Sequence, residues 1–287
     1  MALLTAGPIG VAACSSPDDA APVASVSATP TRSRVAVGGP IEITYRFEPT
    51  GEAIAEDHTV FVHLVNDDGQ VIWNDDHEPA VPTSTWQPGQ VVEYSRTRFL
   101  PALLQPGNVT LEVGVYRGEA RLPLAAERAP RAPGSRAYPT ADLQLAPETE
   151  NIFVIYQSGW HPDDFVPGDP YGASKWTQES ATFAFRNPRT DVSLLIEFAG
   201  RPDAFGLTPQ QVTMVGAGDA PIDRFAVESA GVVLRRVPVT AAQLGNADLA
   251  EVRLEVDRTF VPSQLGTGEH DPRTLGVRVY HVFVEGR

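Results

Sequence analysis

The sequence predicts an all-β protein, two β-sandwich domains in tandem, and three observations carry that reading. Short Val/Ile/Phe/Tyr-rich runs recur between Pro-Gly, Asn-Asp and Gly-Gly signals. No stretch sustains apolar residues at the three-and-four spacing of an amphipathic helix. Punctuation is dense, with 26 Pro and 24 Gly among 287 residues, and the 42% hydrophobic content suffices for two cores.

The elements are read in chain order. Residues 1–13 are apolar or small throughout and end at the run Val11-Ala12-Ala13 before Cys14, the single cysteine. The segment is too short to span a bilayer as a helix but suits a cleaved signal. Residues 14–32 are rich in Ala, Pro and Ser and lack large apolar side chains, so they are expected to form a disordered tether. The first domain is expected over 33–147. Residues 34–37 form a short strand before Gly38-Gly39-Pro40, and residues 41–47 alternate apolar with polar as a half-buried strand does. Residues 58–65 reach the turn Asn66-Asp67-Asp68-Gly69 and return through Val71-Ile72-Trp73, a hairpin signal. A long loop carries Trp86 beside Pro88-Gly89, which reads as a packed anchor, before strands over 91–99, 108–116 and 141–145. About seven short strands at this spacing read as an immunoglobulin-like sandwich.

The second domain is expected over 148–287. A loop-rich opening holds Trp160, His161, Tyr171 and Trp176, and strands follow over 181–186, 192–199, 212–215, 232–239, 251–257 and 275–283. Eight or so strands in about 135 residues fit a jelly roll.

Three resemblances add to this. The run closing on Cys14 resembles a bacterial lipobox, which implies that Cys14 is the first mature residue and carries lipid; an Ala-rich tail with a chance cysteine is the other reading. The blocks Val60-Phe-Val-His63-Leu64, Asp68-Gly69, His77-Glu-Pro79, Pro82-Thr83, Trp86-Gln-Pro88-Gly89 and Leu111-Glu-Val-Gly-Val-Tyr116 resemble β-sandwich modules on the extracytoplasmic side of bacterial glycosyltransferase-type membrane proteins and surface lipoproteins. Residues 257–262, Asp271, Arg273 and residues 275–280 resemble the closing part of carbohydrate-binding, galactose-binding-like jelly rolls attached to bacterial polysaccharide-processing proteins.

Composition excludes several functions. A net charge of −14 argues against nucleic acid and anionic membrane surfaces as partners. With no cysteine after Cys14, internal disulfides, thiol catalysis and Cys-based metal sites are ruled out beyond that residue. His58 and His63 lie five residues apart on one expected strand and point to opposite faces, which spoils them as a chelating pair. The loop Asp75-Asp76-His77-Glu78 lacks the ligand spacing and turn glycine of a calcium loop and reads as solvated and acidic. No cofactor is expected; a structural calcium near Asp163, Asp164 and Asp169 is allowed by fold analogy and not predicted. The chain offers no Gly-x-Ser-x-Gly elbow and no phosphate-binding glycine loop.

Sugars present flat C–H faces and many hydroxyls, so their sites pair an exposed aromatic ring with planar polar groups. Trp160, His161, Tyr171, Trp176, Arg258, Asp271 and Arg273 have that makeup; in the alternative reading the tryptophans plug strand ends. The sequence therefore points to a non-catalytic, lipid-anchored envelope protein that binds glycan through loops of its second domain. A scaffold that contacts an envelope protein is the alternative, and a polysaccharide hydrolase the third reading.

Overall fold

The computed structural model describes residues 20–51, 53–165, 173–206 and 208–286, and it is built almost wholly of strands. The chain divides into two compact units on either side of the Glu148–Thr149 bond. Among the described residues no helix is long and apolar enough to cross a membrane. Cys14, with the whole signal segment, lies outside the described residues.

Unit 1 contains β1 (Ala24–Pro30), β2 (Arg34–Ala36), β3 (Pro40–Pro49), β4 (Thr59–Asn66), β5 (Val71–Asn74), β6 (Val92–Phe99), β7 (Gly107–Arg117), β8 (Ala120–Arg121), β9 (Leu124–Ala125) and β10 (Tyr138–Ala146). One sheet has the order β6-β3-β1-β9 and the other β2-β10-β7-β4-β5, with β8 folded back on β7. This split of the first strand between two antiparallel sheets is the immunoglobulin-like sandwich. Pairing is antiparallel except where β1 meets β9 and β2 meets β10. The alternation in β3 works as expected: Ile41, Ile43, Tyr45 and Phe47 are buried, whereas Glu42, Thr44 and Arg46 point away. Gly69 closes the β4–β5 turn at φ +78°, and Trp86 is a packed anchor, 1% exposed, with its ring 4.9 Å from that of Phe47.

One expectation is corrected here. The tether was expected to reach residue 32, but β1 pairs with β3 over seven residues, from Ala24 opposite Pro49 to Pro30 opposite Ile43. Ala24, Val26 and Ala28 are buried at every second position. Small side chains suffice there because the large residues of β3 fill the space between the sheets, so low hydrophobicity concealed a core strand.

Unit 2 contains β11 (Val154–Tyr156), β12 (Asp164–Phe165), β13 (Ala173–Trp176), β14 (Ser180–Arg186), β15 (Val192–Ala199), β16 (Gln210–Val215), β17 (Pro221–Val227), β18 (Val233–Val239), β19 (Leu249–Val256) and β20 (Arg278–Gly286). A one-turn helix α1 (Ala241–Leu244) is held by a reciprocal Thr240–Gln243 capping box. The sheets run β11-β14-β19-β16-β17 and β12-β13-β20-β15-β18, all antiparallel. Counting β13 to β20 as first to eighth gives 1-8-3-6 and 2-7-4-5, the interleaved double Greek key of a jelly roll. Its interior is apolar, with Phe183, Phe185, Leu194, Met214 and Val252 all fully buried.

Candidate functional site

Of the residues singled out in the second domain, Trp160, His161, Trp176, Arg258, Asp271 and Arg273 are engaged by packing and polar contacts within the unit. Trp176 ends β13 and is 8% exposed, packed with Phe260 and Leu275 and edge-on to Phe260 at 5.5 Å. Trp160 follows Gly159, whose φ of +78° and lack of a side chain let the backbone pass against the Ser180 carbonyl, which a Cβ would overlap. Its indole N–H donates to the Thr182 carbonyl at 2.7 Å, and its half-buried ring stands edge-on to Tyr156 at 4.8 Å. The expected pair of open stacking platforms is therefore corrected: both rings are spent on packing.

The polar members are spent on one another. The Arg273 guanidinium donates to Asp164 at 3.1 and 3.0 Å and to Asp271 at 2.7–3.0 Å, tying the 271–273 loop to β12. Arg273 beside Asp271 holds that carboxyl below the usual carboxylate range. The His161 ring Nε2 meets the Thr274 carbonyl at 2.8 Å. Arg258 pairs with Asp257 at 3.2 Å and lies 5.7 Å over the Phe205 ring. Asp163 faces Lys175. Tyr171 and Asp169 lie outside the described residues.

A second correction concerns the acidic loop of unit 1. Asp75 and His77 are 7% and 8% exposed, not solvated. Asp75 accepts from Arg96 at 2.9 and 3.0 Å and lies 3.2 Å from Arg98. The two rings of His77 and Tyr94 are joined from Nε2 to the phenol oxygen at 2.8 Å. Burial pushes the His77 pKa down and those of Tyr45 and Tyr94 up. His63 turns to Asp76 at 3.5 Å, whereas the His58 Nδ1 meets the Glu56 carbonyl. Among the described residues no three His, Cys, Asp or Glu are grouped to hold a metal ion.

One open cleft, of about 680 Å³, lies on unit 2, lined by Asn151, Phe153, Ile155, Arg186, Arg189 and Leu249 among others. Strand register builds it. Val154 lies opposite Phe185, and Arg186 opposite Leu249. Continuing the first register by one residue sets Phe153 beside Arg186, giving the row Phe153–Arg186–Leu249 across β11, β14 and β19. The next row on the same face is Ile155–Ala184–Glu251. Neighbours across strands stand about 5 Å apart, so the Arg186 stem lies between two apolar side chains. Phe153, Ile155 and Leu249 are 53%, 51% and 45% exposed.

The wall beside this row is tied by hydrogen bonds. Asn187 is buried; its amide donates to the Gly245 and Ala247 carbonyls at 3.0 Å, and its oxygen accepts from the Arg189 N–H at 2.9 Å. That turn holds Arg189 at φ +59°, strained for a side-chain-bearing residue. The Arg189 guanidinium then reaches Asp248 at 2.7 Å and the Asn246 carbonyl at 3.1 Å. Leu249 also borders a second cleft, about 640 Å³, whose carboxylates are Asp219, Asp248 and Glu251. Asp219 is bound by Arg253 at 2.6 Å and Glu251 accepts from Gln157 at 3.3 Å. No aromatic side chain is among the described residues lining it.

Sequence reasoning missed the Phe153 row. The available signal was Ile152-Phe-Val-Ile-Tyr156, where alternation puts apolar residues on both faces of one strand. Such a strand at a sheet edge leaves one apolar face open.

No family model matches the chain, and comparison with curated proteins gives no match. Among solved structures, the chain is similar to a family GH115 4-O-methyl-α-glucuronidase, BtGH115A, at 14% identity and TM-score 0.34, over 54% of this chain and 20% of that one. It is similar to the CBM51-2 and INT domains of Clostridium perfringens ZmpB at 9% identity and TM-score 0.26, over 63% and 38%. It is also similar to the collagen adhesin of S. aureus at 8% identity and TM-score 0.18, over 92% and 96%. The chain thus spans a fifth and under two fifths of the length of the first two. At such values none of them assigns this chain a ligand or an activity.

Proposed function

We propose that this chain is a non-catalytic, lipid-anchored module of the bacterial cell envelope that binds glycan through its second unit. The binding surface is the Phe153–Arg186–Leu249 row and its cleft, in place of the loop tryptophans. The observation that carries this reading is the exposed Phe153 ring, flanked by apolar side chains and by the planar groups of Arg186 and Arg189. A pyranose ring needs that combination: an open aromatic face for its C–H surface and flat polar groups for its hydroxyls.

A glycan-array screen of the full chain tests the reading. Signal on at least one glycan class, weakened about tenfold or more in Phe153→Ala, supports it. A flat array moves the assignment to a scaffold that contacts an envelope protein. One feature favours that second reading: among the described residues β11 is an edge strand that pairs with β14, so its outer edge is open to an incoming strand.

The anchor rests on the run ending at Cys14. Two or more acyl chains hold a protein stably at a bilayer. Metabolic labelling with a palmitate analogue is expected to mark the wild type and not Cys14→Ala, with the variant released from the membrane fraction. Equal label in both ends this part of the proposal.

A further inference from the structure

The chain carries 36 acidic against 22 basic residues, and most arginines of unit 2 are taken up by that excess of carboxylates. In unit 2, Arg189, Arg201, Arg235, Arg236, Arg253, Arg258 and Arg273 each face an acidic side chain. Arg186, like Arg224, is exposed and faces no acidic side chain among the described residues. It stands in the open row between Phe153 and Leu249, on the wall of the 680 Å³ cleft. Arg189, on the same wall, shares its charge with Asp248, whose side chain is 98% exposed and so free to exchange its partner for a ligand or for water. Glu251, the next carboxylate along β19 on the same face, is engaged by Gln157. The chain's net negative charge repels anions at long range, but screening within about 8 Å at physiological salt leaves the local pair to decide.

Resting on the glycan reading above, we infer that the cleft is selective for an acidic sugar: a uronic-acid residue whose ring lies on Phe153 and whose carboxylate takes the Arg186 guanidinium, with Arg189 as a second cation. Planar guanidinium and planar carboxylate match in bidentate geometry. The apolar neighbours on either side restrict water around that pair and strengthen it.

The test titrates the full chain with matched oligosaccharides, tetragalacturonate and a glucuronate-bearing xylo-oligosaccharide against their uncharged counterparts, in 50 mM and 500 mM salt. The acidic ligand of at least one pair is expected to bind about tenfold tighter at low salt, with the preference shrinking at high salt. Arg186→Gln is expected to remove the preference, weakening the acidic ligand about tenfold more than its neutral counterpart, with the melting midpoint unchanged; Arg186→Lys is expected to restore part of the preference. Equal binding of charged and neutral partners, unaffected by Arg186→Gln, overturns the acidic selectivity and keeps the glycan reading. Binding of no sugar overturns both. Arg186-dependent binding of poly-glutamate with no sugar binding overturns both in favour of an acidic peptide.

Discussion

The two units use the same residue types, Arg with Asp and aromatic rings, to opposite effect. In unit 1 they are drawn inside. Asp75 lies just past β5, the edge of one sheet, and Arg96 and Arg98 lie on β6, the edge of the other. The ion pair, with His77, Tyr94 and the fully buried Tyr45 stacked behind it, clasps the open side of the sandwich. In unit 2 the core cluster is apolar and, apart from the buried Glu197 that meets His281 at 2.7 Å, most ion-pair partners are substantially exposed. A charge taken out of water demands a partner, and unit 1 supplies one for each. A charge kept at the surface need not have one, and Arg186 has none among the described residues. Completeness of pairing, more than residue type, separates a clasp from a binding surface.

The largest expected effect removes the clasp. Asp75→Ala leaves Arg96 and Arg98 facing each other without the carboxylate and is expected to destabilise unit 1 by about 3 kcal/mol. Trp73 and Trp86 report on unit 1 and Trp160 and Trp176 on unit 2. Denaturant unfolding followed by fluorescence in single-tryptophan-pair variants should show the unit 1 transition early and the unit 2 transition unmoved. Equal loss in both would break the contrast.

Acid should separate the units next. Burial lowers the pKa values of His63 and His77, so between the ordinary histidine value of 6.5 and their folded values the unfolded chain binds more protons. Unit 1 is therefore at full strength above pH 6.5 and weakens as pH falls below it. In unit 2, hydrogen bonds from arginines hold Asp203, Asp223, Glu269 and Asp271 below their ordinary values of 3.8 to 4.5. Their contribution is present above that range and is lost as pH falls through it. A melt series from pH 7.5 to 3 should weaken unit 1 first; a unit 2 midpoint falling first would refute the ordering. The smallest effect is the most diagnostic. Phe153→Ala, which impairs glycan binding in the proposal, should shift the unit 2 midpoint by less than about 0.5 kcal/mol, because an exposed ring supports little of the fold. A shift several times larger would make Phe153 a packing residue like Trp176.

Much of the architecture was legible because alternation and turn chemistry are local. Residues 41–47 carry their pleat in the sequence, and Asn66-Asp67-Asp68-Gly69 names its own turn. What was hidden depends on partners far along the chain. β1 is composed of Ala, Ser, Val, Thr and Pro and becomes a strand only against β3. Ser174-Lys175-Trp176 read as loop and proved to be β13, paired to β20 a hundred residues later. The same holds for the site. Composition cannot show that Trp160 and Trp176 are packed, or that Arg273 is spent on Asp164 and Asp271. Phe153 and Arg186 gain meaning only from the register of β11 on β14.

The parallel pairing of β2 with β10 has a mechanical consequence. The strand near the start of unit 1 and the strand that ends it run side by side in the same direction, joined by bonds such as Gln144 N–H to Ser33 O at 2.8 Å and Val37 N–H to Ala146 O at 3.0 Å. Tension applied between the two ends of the unit drags these strands past each other along their length. The bonds then share the load in shear instead of opening one after another like a zip, and the rate of forced unfolding is set by their joint rupture. A module held at its N-terminal side and pulled through what it grips would resist at that seam.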